Sequence, residues 1–296
     1  MQRLRIRWME RAAAVAVMAL AAFAAGAATP IPSGNWSFVF TDAKGHPERP
    51  IRVYTYRPRA CDSKCPIMFV MSGVKRDASH YRDDWELIAD RYKVLVVAPE
   101  FSQQYWPGAA QYNLGGVEGE SNREKWTYSA IEHLFDEVRD GQTGYRIFGH
   151  SAGGQFVERM TMLLPGNRAT LAMAANPGWH LMPEWRSDKA TDSYPYSLAG
   201  FPAGEAALRQ ALTRRFVLLL GQDDTDPEAE NLNETSGAKH QGASRLERGE
   251  NFFKAATAAA QELHVNFAWQ LEEAPNTAHD GAAMGRYAAD TELGKP

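Results

Sequence analysis

From residue 36 onward the chain alternates between stretches with strand-like and helix-like hydrophobic patterning. Residues 36–41 and 51–56 alternate apolar and polar side chains, which predicts two strands joined by the turn-rich segment 42–50. Residues 67–71 and 94–98 are continuous apolar runs, as expected of strands covered on both faces. Between them, residues 81–91 place Trp85, Ile88 and Ala89 on one helical face. Residues 101–119, rich in Gly, Gln and aromatic residues, read as a long loop. Ile131, Leu134, Phe135 and Val138 form the apolar stripe of a helix over 126–139. A strand over 145–148 and a helix over 155–164 follow.

The second half repeats the alternation. Strands are predicted at 170–175, 216–220 and 266–271, and helices at 243–263 and 281–293. Buried strands alternating with helices predict an α/β fold, with a mostly parallel central sheet of about eight strands and helices on both faces. The first two strands lack a helix between them and are expected as an antiparallel edge. Residues 178–215 exceed what a strand–helix–strand connection needs, so a small lid-like insertion is expected before the strand at 216–220.

The N-terminus changes this picture. Arg3, Arg5, Arg7 and Arg11 precede an alanine-rich apolar run over 12–25, and Ala25-Gly26-Ala27 offers a small-residue cleavage pattern. Residues 1–27 therefore read as a signal peptide, and 28–296 as a single domain. The run is shorter than the roughly 20 residues needed to span a bilayer. The protein is accordingly expected to be secreted or periplasmic, with no stable membrane insertion after cleavage. The full chain of 296 residues has formal charge −4. Residues 1–27 contribute four arginines and one glutamate, so removing their net +3 leaves −7. No basic stripe accompanies this acidity, which argues against a nucleic-acid partner. The two cysteines, Cys61 and Cys65, are expected to form a local disulfide in an oxidising compartment, worth about 2 kcal/mol in loop entropy.

The chemistry starts at Gly149-His150-Ser151-Ala152-Gly153, a G-x-S-x-G element between a predicted strand and a predicted helix. A serine on such a turn sits in a strained backbone, and flanking residues without bulk allow its neighbours to close together. A serine hydroxyl needs a base, and the base needs an orienting acid. The strand at 216–220 runs into Gly221-Gln222-Asp223-Asp224-Thr225-Asp226, which supplies the acid. Asp224 and Asp226 both stand as candidates. Of the later histidines, His264 precedes a strand and His240 lies in a polar stretch. His279 follows the strand at 266–271 through a short loop, where strand-end chemistry gathers.

In the order Ser151, Asp224, His279, with Gly149 to Gly153 and the G-x-x-D spacing from Gly221, the chain resembles the α/β-hydrolase superfamily. Ser72-Gly73-Val74-Lys75-Arg76-Asp77-Ala78, Asn176-Pro177-Gly178-Trp179 and Ser193-Tyr194-Pro195-Tyr196 resemble secreted bacterial esterases related to polyhydroxybutyrate depolymerases and feruloyl esterases. The resemblance implies two oxyanion donors, the backbone N–H of Ala152 and that of Val74 or Lys75. Ser72 stands where the family commonly has histidine. The expected activity is hydrolysis of a carboxylic ester, small or polymeric, through an acyl-enzyme. A peptidase, an amidase or an acyltransferase on the same triad is an alternative, as is a non-catalytic binding protein of this fold. Trp179, Tyr105 and Trp106 are candidate substrate-binding aromatics. No metal-ligand motif appears and no cofactor is implied.

Overall fold

The computed structural model describes residues 30–294 except 63 and 203. The signal peptide predicted at 1–27 lies outside the described residues. Eight strands form one sheet in the order β1-β2-β4-β3-β5-β6-β7-β8. They are β1 (Gly34–Phe40), β2 (Ile51–Arg57), β3 (Ile67–Met71), β4 (Leu95–Glu100), β5 (Tyr145–His150), β6 (Ala169–Ala175), β7 (Phe216–Gly221) and β8 (Trp269–Ala274). β2 runs antiparallel to both β1 and β4, and every other pairing is parallel. The antiparallel edge follows from the short link between β1 and β2, which is too short for a crossover helix.

The strands β3 and β7 are buried along their whole length because helices cover both faces. One face packs against α3 (Thr127–Val138), α4 (Ala152–Leu163), α5 (Gly204–Leu212) and α7 (Arg245–Glu262), around Phe69, Phe135, Tyr145, Phe156 and Phe252. The other packs against α1 (Ala78–Asp84), α2 (Glu86–Tyr92) and α8 (Gly281–Ala288), around Trp85, Val96, Phe148 and Met284. α6 (Ser236–Lys239) is a short turn of helix before α7.

Two of the departures from the sequence pattern have an identifiable side-chain cause. The single helix expected over 81–91 is two helices that meet at Trp85, which is C-cap to α1 and N-cap to α2. Its indole is buried against Phe148. The last strand begins at Trp269 rather than 266, because Phe267 packs instead beside Phe253 and Trp269. Between β6 and β7 the insertion forms a long loop tied by a bridge between Met182 and Ser197, then α5. Cys61 and Cys65 form a disulfide. Among the described residues no helix is long and apolar enough to cross a membrane.

Candidate active site

The site begins with steric necessity at the end of β5. Ser151 adopts φ 59°, ψ −117°, outside the favoured regions for an L-residue. The turn is held by Ser151 N–H donating to Ala175 O at 2.9 Å and by Gln155 N–H donating to Ser151 O at 3.0 Å. The glycines make it possible. A β-carbon on Gly149 would overlap the carbonyl of Gly153, and one on Gly153 would overlap the carbonyl of Met71 at the end of β3. One on Gly154 would stand 2.6 Å from Ala175 O, so α4 lies directly on the sheet. Ala152 opens α4, placing its amide in the helix's unpaired first turn, where negative charge is favoured.

β7 and β8 deliver the other two groups. Beyond β7 the chain turns, with Asp224 N–H donating to Gly221 O at 3.0 Å. Beyond β8, residues 275–280 fold back so tightly that a β-carbon on Gly221 would overlap Thr277 O. Asp223 N–H donates to Thr277 O at 2.9 Å, tying the two loops together. Asn176, at the end of β6, bridges them: its Oδ1 accepts from Gly221 N–H at 2.7 Å and its Nδ2 donates to Ala278 O at 3.1 Å. The outcome is a 2.7 Å hydrogen bond between His279 Nδ1 and Asp224 Oδ2. Asp224 is buried, 4% exposed. Asp223 and Asp226 are exposed, and Asp226 caps the amide of Glu228. Of the three aspartates, the structure brings Asp224 to the histidine.

Arg245, which the sequence reading overlooked, faces the other oxygen of that carboxylate, with Nη1 3.3 Å from Asp224 Oδ1. Its Nη2 donates to Glu230 O at 2.9 Å. The guanidinium is placed by the start of α7, where Ser244 Oγ accepts from Glu247 N–H and Glu247 Oε2 accepts from Ala243 N–H. That S-x-x-E box is a helix-start pattern visible in the sequence.

The loop after β3 forms the opposite wall. Tyr112, fully buried, donates to Ser72 O at 2.7 Å. Burial pushes its phenol up to about 12 and keeps the donor protonated, against the opposing pull of Arg76. Arg76 stacks on the Tyr112 ring at 3.8 Å and donates to Phe101 O and Gly108 O, joining the loops after β3 and β4. A β-carbon on Gly73 would sit 3.7 Å from the β-carbon of Ser151. Ser151, His279, His150, Gly73, Val74, Lys75 and Arg245 all line one cavity of about 680 Å³. His150 is buried, and desolvation, followed by its neighbours His279 and Arg245, holds its imidazole far below the ordinary value and therefore neutral.

Two solved structures share this arrangement of elements at appreciable identity. Poly(aspartic acid) hydrolase-1 from Sphingomonas sp. KT-1 is 38% identical, with a TM-score of 0.82 over 88% of this chain and 98% of that one. LpqC, a poly(3-hydroxybutyrate) depolymerase from Bordetella parapertussis, is 33% identical, with a TM-score of 0.80 over 88% of this chain and 89% of that one. The chain belongs to the α/β-hydrolase superfamily. An S-formylglutathione hydrolase from Agrobacterium tumefaciens, 16% identical with a TM-score of 0.55 over 88% of this chain and 95% of that one, shares the fold. No family model and no curated protein matches the chain.

The α/β-hydrolase cavity does not include the aromatics expected to bind substrate. Trp106 is fully buried, packed on Phe101 and His46, because its loop folds inward over β4. Tyr105 is exposed beside Val39 and Arg52, lining a different cavity. Trp179 is buried between the Arg159 guanidinium, 4.3 Å above its ring, and Tyr196. It is held inside by the neighbouring His180 and Leu181, both bonded to the buried Glu158 carboxylate. An aromatic loop residue reads the same from sequence whether it forms a rim or a satellite core. Here the three pack away from the cavity around Ser151.

Proposed function

We propose that this chain is an exported serine hydrolase that cleaves a carboxylic ester through an acyl-enzyme. The observation that carries the reading is the 2.7 Å bond from His279 to a buried Asp224, with His279 and Ser151 lining the same cavity. Ser151 Oγ attacks the carbonyl, and His279 takes its proton at Nε2. Asp224 fixes the imidazole through Nδ1 and stabilises the imidazolium that forms. The N–H groups of Ala152 and Val74 hold the oxyanion. His279 returns the proton to the leaving alcohol, then activates the water that releases the acid. Export is supported by the N-terminal pattern and by the Cys61–Cys65 disulfide.

Two relatives act on different polymers, so the walls of the cavity bear on the choice. Asp77, Asp84, Glu230 and Asp280 line it together with Lys75 and Arg245, and Arg245 is already committed to Asp224. That excess of negative charge favours an uncharged ester over a polyanion. Amide cleavage by the same triad is a second reading, supported by the 38% identity to the hydrolase of poly(aspartic acid). The test is hydrolysis of nitrophenyl esters of graded chain length beside poly(aspartic acid), by the parent, Ser151→Ala and His279→Ala. Ester turnover lost in both variants is expected. Unchanged rates in the variants would sink the triad, and faster cleavage of the polyanion would favour the amidase reading.

A further inference from the structure

The hydroxyl of Tyr81 stands where three segments of the site converge. It lies 3.0 Å from His150 Nδ1, on the residue immediately before Ser151. It is 3.0 Å from the position a β-carbon would take on Gly73, in the loop that carries Val74. The same position on Gly281, two residues after His279, is 3.3 Å from this hydroxyl and 3.1 Å from His150 Nδ1. Burial keeps the Tyr81 phenol protonated. A protonated phenol can both donate and accept, which suits the neutral imidazole of His150 in either tautomer. His150 then packs against His279, with ring centroids 4.6 Å apart and the ring planes tilted by 42°.

The platform beneath Tyr81 is fixed on both sides. Asp77 caps α1 by accepting from His80 N–H, and Arg82 donates to Thr55 O of β2 at 3.2 Å. The hydroxyl is therefore held by the scaffold rather than by the loops it touches.

We infer that Tyr81 is a positioning residue, whose hydroxyl sets the oxyanion loop, the elbow and the His279 loop in register with one another. This rests on Ser151 being the nucleophile. Such a role acts on the tetrahedral state, in which loop amide, nucleophile and base must align, and leaves ground-state binding largely alone. It also gives Gly73 and Gly281 a reason: at either position a side chain would crowd the shared hydroxyl.

Tyr81→Phe keeps the ring and removes the oxygen. The expected result is a fall in kcat of roughly ten- to a hundred-fold with KM within about twofold, and a matching loss of affinity for an alkylboronic acid, which forms a tetrahedral adduct on Ser151. Gly281→Ala, which keeps the hydroxyl but crowds it, is expected to shift the same two quantities in the same direction. Thermal midpoints measured alongside separate this from unfolding. Unchanged kcat and boronate affinity in a folded Tyr81→Phe protein, beside a parent whose activity depends on Ser151, overturn this inference and leave the hydrolase reading standing. A parent whose ester hydrolysis survives Ser151→Ala overturns both.

Discussion

Asn176 donates its side-chain amide to the carbonyl of Ala278, 102 residues further along the chain, across a 3.1 Å hydrogen bond. Its oxygen accepts from Gly221, so one buried side chain sets the separation of the acid-bearing and histidine-bearing loops. Its φ of 44° is one that asparagine tolerates better than most residues. Asn176→Ala leaves a buried amide and a carbonyl unpaired. A loss of roughly 1–3 kcal/mol is expected, read by denaturant unfolding, together with a fall in kcat because His279 and Asp224 lose their common reference. Wild-type stability in that variant would show that the loops hold each other without it.

The choice between acids is directly testable. Asp224→Asn removes the charge that orients His279 and should lower kcat on the order of ten-thousand-fold. Asp226→Asn alters only an exposed loop cap and should leave kcat within about twofold. Steady-state kinetics on a nitrophenyl ester checks both, and equal losses would contradict the assignment.

The elbow predicts a stability effect. In Gly153→Ala the added methyl meets the Met71 carbonyl, which belongs to the sheet and cannot rotate away. Overpacking of backbone against backbone is expected to cost about 3 kcal/mol or more. A fall in thermal midpoint is the expected readout, and a midpoint equal to the parent's would mean that β3 and α4 separate easily.

A pH dependence arises outside the cavity around Ser151, at a histidine that does not line it. His133 on α3 lies between Asp42 and Glu124, with contacts of 2.7 and 2.8 Å. Burial pulls its imidazole down, but the two carboxylates outweigh this and hold it above the ordinary 6.5. Burial likewise pushes Asp42 up, while the bonds from His133 and the Gly45 amide outweigh it and hold that carboxyl below 3.8. For a histidine with a raised folded value, the stabilisation is fully present below pH 6.5 and is lost as pH rises through that value. For Asp42 it is present above 3.8 and lost as pH falls through the lowered value. Thermal midpoints from pH 6 to 9 should fall more steeply for the parent than for His133→Gln. Parallel curves would contradict the pairing.

Much of this was legible in the chain because period and punctuation agree with the tertiary environment. The runs at 67–71 and 216–220 are apolar without a break, and both strands are buried throughout. The expected edge pair is antiparallel, as its short connection requires. Misreadings fall where one side chain serves a contact that periodicity does not encode. Trp85 continues the helical stripe yet marks the joint between two helices. Trp106 and Tyr105 are neighbours in one loop, one of them core and the other surface. Arg245 and Tyr81 escaped notice because each acts across tens of residues on a group that is itself defined only by the fold. Local spacing contains no trace of such a meeting.

The order of the strands has a consequence for folding. His279 arrives behind β8, an edge strand of the sheet, and it reaches Asp224 only once Trp269–Ala274 has zipped onto β7. On the reading proposed above, a chain in which β8 has not yet docked lacks its general base, and catalytic competence would report that this edge of the sheet is closed.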